Sequence, residues 1–209
     1  SSEVSTGREH WGVGWCYRDT LEPYRVQYTL HSSTLAEIEF NMHGNRLVLM
    51  NAYIPHDDVQ ENTREERWGR LEERALEIPN AKNLIIMGDF NAAIHTRKEG
   101  EEDVLGPHTY GRGIDHLDRI ENRLPVGTRN NRMFMIDFLR TTDSMIMNTL
   151  FEKPNKKKVT WKHPATDAFT APWGPDRFAE LDFVIARNRW KNTIFLRHSC
   201  HILPFRPIL

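Results

Sequence analysis

Apolar and polar positions alternate over Ala36-Glu37-Ile38-Glu39-Phe40, which predicts a strand with one buried face. Asn41 to Asn45, with Gly44 inside it, reads as a hairpin connection, and the mostly apolar run Leu47 to Ile54 as its return strand, ended by Pro55. A helical period follows. Trp68, Leu71, Ala75 and Ile78 share one face of a helix predicted over Thr63 to Ile78, with Thr63 as N-cap and Pro79 as the stop. Leu84 to Met87 is a short buried strand broken by Gly88. Residues 95–128 lack period and read as one long loop. Arg132 to Arg140 predicts a second helix, and Met145 to Asn148, Val159 to Trp161, Leu181 to Ala186 and Thr193 to Leu196 predict strands, as does Gly12 to Tyr17 near the start. Many strands with two interleaved helices, and no repeat or linker, imply one α+β or layered α/β domain spanning residues 1–209.

Composition narrows the class. With 209 residues, 39% apolar and 27% charged, the chain suits a globular domain rather than a disordered, collagenous or disulfide-stapled one. No stretch approaches the roughly 20 apolar residues of a membrane span, and no charged-then-apolar leader opens the sequence. Cys16 and Cys200 are far apart, which fits a reducing compartment, so an intracellular, membrane-free and monomeric protein is expected. The net charge of −1 hides an imbalance. Asp57 to Glu77 carries eight acids against four arginines, whereas Lys153 to His163 holds five lysines and no acid. The basic stretch is either a solvated rim or a local polyanion-binding face.

The chemistry concentrates in Met87-Gly88-Asp89-Phe90-Asn91-Ala92. A buried strand runs into glycine and then Asp-x-Asn. If the backbone stays extended, Asp89 and Asn91 project to one side and Phe90 anchors the other. A carboxylate there can polarise water or coordinate Mg²⁺, and an amide can donate to a phosphate oxygen. The alternative is a strand-capping Asx turn. Asp182 is out of place in Leu181-Asp182-Phe183-Val184-Ile185, because a buried carboxylate needs a partner. Tyr53 reads either as a sheet tyrosine or as a site residue, Trp161 as a packing residue, and Asn130-Asn131 as either a helix start or a DNA contact.

In order along the chain, Asn51-Ala52-Tyr53-Ile54-Pro55, Gly88-Asp89-Phe90-Asn91, Thr160-Trp161 and Glu180-Leu181-Asp182-Phe183-Val184 resemble the motifs of the endonuclease/exonuclease/phosphatase superfamily. Val104-Leu105-Gly106-Pro107-His108, Asn130-Asn131 and Met147-Asn148-Thr149 are similar to the apurinic-type endonuclease domains of LINE-type non-LTR retrotransposons. The resemblance runs from about Gly12 to Trp190. It implies a two-layer β-sandwich flanked by helices, the DNase-like four-layer arrangement, and Mg²⁺-assisted (or Mn²⁺-assisted) phosphodiester hydrolysis. It gives Asp89 the metal and the attacking water, and Asn91 and Tyr53 the scissile phosphate. It has Asp182 orient a histidine, for which His201 is the candidate, and puts Lys156, Lys157, Lys158 and Asn131 on DNA. It further implies nicking of target DNA in the nucleus for an in-frame reverse transcriptase.

The family's leading asparagine strand and Gln-Glu strand do not precede Gly12, and Ser199-Cys200-His201 stands where the family has Ser-Asp-His. The expectation is therefore a domain incomplete at both ends, lacking its first strands, with weak metal affinity and poor nuclease activity. A phosphoinositide-type phosphodiesterase of the same superfamily and a non-catalytic binding module of the same fold are the competing expectations.

Overall fold

The computed structural model describes residues 12–166 and 172–191. Its frame is a six-stranded sheet in the order β1(Arg25–Ser32), β2(Leu35–Met42), β3(Asn45–Tyr53), β4(Asn83–Asp89), β8(Asp182–Arg187), β5(Ser144–Ile146). All neighbours are antiparallel except β3 and β4. That parallel pair is joined by α1(Glu61–Glu77), the crossover a parallel connection requires. The remaining elements are α2(Ile114–Glu121), α3(Asn131–Thr141) and a separate two-stranded ribbon of β6(Trp161–Lys162) and β7(Phe178–Ala179). The α+β class expected from the alternating periods is what the structure has; the second sheet is, among the described residues, this short ribbon.

Alternate residues decide the two faces of the sheet. Val48, Met50, Ala52, Leu84, Ile86, Phe183 and Ile185 are buried in one core with Trp68, Leu71 and Ala75 of α1 and Phe134 and Phe138 of α3. Trp68 stacks on Phe90 with ring centroids 5.8 Å apart, so the residue after β4 is anchored in the helical layer. Leu49, Asn51, Tyr53, Met87, Asp89, Asp182 and Val184 have the opposite parity and are only half-buried. Residues 12–24 reach over this face near β2. The Asn51 amide donates to the Gly14 carbonyl at 2.9 Å, and Tyr17 meets Phe40 edge-on at 5.4 Å.

Several elements depart from the expectation. Gly12 to Tyr17 forms no strand, because its apolar residues lie over the sheet instead of pairing at its edge. Residues 25–32, unassigned by periodicity, form edge strand β1. The long loop contains α2, and α1 begins at Glu61 with Gln60 as a cap that makes no side-chain bond, not at Thr63. The strand predicted over Thr193 to Leu196 lies outside the described residues.

Candidate functional site

Three of the expected side chains converge through strand register. Tyr53, the last residue of β3, pairs with Asp89, the last of β4. Asp89 pairs in turn with Asp182, the first residue of β8. Three adjacent strands therefore place a phenol and two carboxylates in one row on the face away from the helices. Like charges directly opposite across a ladder are destabilising, so a row of this kind is kept at a cost to stability.

The electrostatics record that cost. Burial and then the Asp182 carboxylate push Asp89 up to about 7, with the Asn91 N–H pulling the other way. Burial also raises Asp182, against a hydrogen bond from Thr160. Tyr53 is raised above the ordinary phenol value by burial and by the Asp89 charge, so it keeps its proton at neutral pH and remains a donor. Among the described residues no cationic side chain acts on Asp89.

Local conformation fixes this row. Gly88 has φ +148°, and a Cβ there would stand 1.9 Å from the Ala52 carbonyl oxygen, so only glycine lets β4 run this close to β3. Asn91 sits in the left-handed region at φ +46°. Its N–H donates to Asp89 Oδ1 at 2.9 Å, so the Asx turn that competed with a functional reading is present, and it holds the candidate carboxylate. The backbone is therefore not extended through Asn91. One N–H of its side-chain amide is spent on the Ile54 carbonyl at 2.8 Å, which leaves the other for a ligand.

Glu180 is the residue that the sequence reading did not single out. It is buried, accepts from Asn148 Nδ2 at 3.1 Å, and is raised to about 7, chiefly by burial, while Asn148, Lys158 and Lys153 pull it down. The same Asn148 amide donates to the Asp182 carbonyl at 3.3 Å, and its oxygen accepts from the Val184 N–H at 2.8 Å. Thr160 Oγ accepts from the Leu181 and Asp182 N–H groups at 2.9 and 3.2 Å. Asn148 and Thr160 thus set the entry of β8. The i, i+2 spacing of Glu180 and Asp182 was the available signal.

Two expected DNA contacts are corrected. Asn131 is fully buried; its amide donates to the Pro55 and Asn91 carbonyls at 2.7 and 3.2 Å, and its oxygen accepts from Trp68 Nε1 at 3.3 Å. It ties the ends of β3 and β4 together from behind and cannot reach DNA, while Asn130 caps α3. Lys158 is also buried, its ammonium donating to the His108 and Thr109 carbonyls at 2.9 and 3.3 Å. Lys156 and Lys157 are exposed, as a polyanion-binding role requires. Trp161, expected to pack, is 41% exposed and meets His163 edge-on. His201 lies outside the described residues.

Among the described residues no three His, Cys, Asp or Glu side chains form a metal cluster. Asp89 and Asp182 are nonetheless a suitable donor set for Mg²⁺, which takes one or two carboxylates and fills its octahedron with water and substrate oxygens.

No protein-family profile matches the chain. It is 24% identical over 184 residues to craniofacial development protein 2 of Tragulus javanicus, covering 88% of this chain and 27% of that protein. It is 24% identical over 166 residues to the Bos taurus protein of that name, covering 79% of this chain and 24% of the relative. The chain thus spans about a quarter of the length of the curated relatives it matches. Similar solved structures include TDP2 of D. rerio complexed with a single-strand DNA product, with a TM-score of 0.42 at 14% identity, covering 78% of this chain and 52% of that one. They also include an endonuclease/exonuclease/phosphatase family protein from Leptotrichia buccalis, with a TM-score of 0.40 at 11% identity, covering 76% and 47%. Similarity at this level assigns no activity to the chain. Among the described residues no helix is long and apolar enough to cross a membrane.

Proposed function

We propose that this chain carries a Mg²⁺-assisted phosphodiester-hydrolysing site acting on DNA, as the nicking domain of a LINE-type retroelement protein that also contains a reverse transcriptase. The observation that carries the proposal is the Tyr53–Asp89–Asp182 row, two facing half-buried carboxylates beside a protonated phenol. The motif order in the sequence supports the same reading. Asp89 and Asp182 would hold the cation, whose contribution is to neutralise charge developing on the phosphate. Tyr53 donates its phenolic hydrogen to a phosphate oxygen. Asn91 offers its remaining amide hydrogen to the same group. Asp89, fixed by the Asn91 N–H, orients the attacking water. Asn148 and Thr160 keep β8 in register so that Asp182 stays opposite Asp89. Exposed Lys156 and Lys157 supply sequence-independent attraction to the backbone.

The test is nicking of supercoiled plasmid by the purified chain. Activity that needs Mg²⁺ or Mn²⁺, disappears with chelator and is lost in Asp89→Ala is expected. DNA binding without metal-dependent nicking would instead favour the non-catalytic module, and cleavage of a phosphoinositide but not of DNA would favour the phosphodiesterase reading.

A further inference from the structure

Charge is sorted by side on α2, the helix inside the long segment between β4 and α3. Asp118 and Glu121 turn toward Lys98, whose ammonium lies 3.3 and 2.5 Å from their carboxylates. His116, Arg119 and Arg123 follow one another at spacings of three and four, which puts them on one stripe. The helical turn extends to Arg123, whose N–H donates to the Ile120 carbonyl at 3.2 Å. Arg112 stands four residues before His116 and is paired with Asp176 at 2.5 Å. Arg119 and Arg123 are exposed, and among the described residues their side chains make no hydrogen bond or ion pair. The half-buried His116 ring registers this concentration of charge. It is lowered first by burial and then by Arg112, Arg119 and Arg123, with Asp176 pulling the other way. Like charges one helical turn apart destabilise a helix, so the stripe is kept at a cost that a bound polyanion would relieve.

Three contacts tie the stripe to the end of the sheet that bears the candidate site. His116 meets His95, four residues past Asn91, edge-on with ring centroids 4.8 Å apart. A Cβ on Gly111 would stand 2.1 Å from the His95 Cα, so the chain entering α2 is docked on the segment that leaves β4. The Lys158 ammonium holds the His108 and Thr109 carbonyls, so the turn that carries exposed Lys156 and Lys157 abuts the same entering chain. Arg119 and Arg123 thus continue, on a second element, the positive border that Lys156 and Lys157 begin. Unpaired guanidiniums offer planar donor forks, which suit phosphate oxygens.

We infer that the Arg119–Arg123 stripe of α2 is a docking surface for the phosphate backbone of a DNA duplex that runs on past the Tyr53–Asp89–Asp182 row. The inference rests on the phosphodiesterase reading for its choice of ligand. It makes Arg119 and Arg123 binding residues that position the duplex and carry no sequence information.

The test measures equilibrium binding, in chelator, of the chain to a labelled DNA duplex as salt is raised. Arg119→Gln with Arg123→Gln should weaken binding about 10-fold or more near about 0.1 M salt and lower the salt slope by about two counterions. Arg119→Lys with Arg123→Lys should keep the slope, because a point charge suffices for a backbone phosphate. Arg140→Gln, which removes an exposed charge at the far end of α3, should change affinity less than about twofold. Thermal melting of each variant controls for folding. Saturating duplex should also raise the titration of His116, read by NMR, because bound phosphates offset the guanidinium charges that lower it. A double glutamine variant that binds DNA like the unmodified chain, or a His116 titration that duplex leaves unmoved, would overturn the surface even if plasmid nicking is found. Binding to phosphatidylserine vesicles that depends on the two arginines, with duplex binding unaffected, would overturn it in favour of a membrane contact. Loss of duplex binding in the double glutamine variant without any metal-dependent nicking by the unmodified chain would uphold the surface while sinking the hydrolase reading.

Discussion

Replacing Asp89 by asparagine should stabilise the protein while removing its proposed activity. The amide keeps an oxygen for the Asn91 N–H, which donates to Asp89 Oδ1 at 2.9 Å, so the turn survives. What goes is a charge held opposite Asp182. Raising a carboxyl from 3.8 to about 7 costs its ionised form about 4 kcal/mol, at about 1.4 kcal/mol per pKa unit. Asp89 is half-buried at a strand end, and residual solvation reduces the expected figure to about 2 kcal/mol. The sign follows from proton binding. The folded chain retains a proton that the unfolded chain releases between about pH 4 and pH 7, so stability falls as pH rises through that window. Urea unfolding in chelator, read by tryptophan fluorescence, should show Asp89→Asn level with the unmodified chain near about pH 4 and about 2 kcal/mol more stable by about pH 8. Millimolar Mg²⁺ should then close the gap by stabilising only the chain that retains both carboxylates. A gap independent of pH, or an asparagine variant less stable at about pH 8, would refute the view that the pair is electrostatically strained.

Other outcomes follow from the geometry. Gly88→Ala, which drives a Cβ to 1.9 Å from the Ala52 oxygen, should part β3 from β4 and cost about 3 kcal/mol or more in urea unfolding. Asn131→Ala should cost about 2 to 4 kcal/mol, because it orphans the Pro55 carbonyl and the Trp68 N–H inside the core. Burial pushes Glu37 up, but its hydrogen bonds with Arg74 and His31 outweigh this and hold it below the ordinary value. That stabilisation is present above about pH 4.5 and lost as pH falls through the lowered value, so Glu37→Gln should flatten the acid limb of stability. The lysine run should split by burial. Lys156→Ala with Lys157→Ala should reduce the salt slope of DNA binding, whereas Lys158→Ala should lower the melting temperature and leave that slope unchanged.

Period carried the central strands because Val48, Met50, Leu84 and Ile86 alternate between a covered face and a half-covered one. It failed where burial does not follow period. In β1, Val26, Tyr28 and Leu30 are all exposed, so alternation there reports no core, and only the ladder to β2 reveals the strand. Gly12 to Tyr17 is apolar because it covers a sheet, which a one-dimensional pattern cannot distinguish from joining one. Three consecutive lysines look equivalent in sequence, but a 3₁₀ turn over Asn155–Lys157 rotates Lys158 inward onto two carbonyls.

Asp182 was legible because a single acid in an apolar strand violates the strand's own logic. Its partner was not, because which residue faces it depends on the offset between β4 and β8, and those strands are separated by more than ninety positions. Asn131 shows the same limit from the other side. An amide beside a helix start can face solvent or close a junction, and only the meeting of the ends of β3, β4 and α1 decides it. The Asx turn at Asp89 and the catalytic reading were alternatives in the sequence because each explains Asp-x-Asn by itself. In the fold they are one device. The turn fixes one carboxylate oxygen with a backbone N–H, which among the described residues favours the charged form of Asp89 against burial and Asp182. Without that N–H the carboxyl would be held neutral more firmly still, and the charge that a cation needs at the end of β4 would be harder to form.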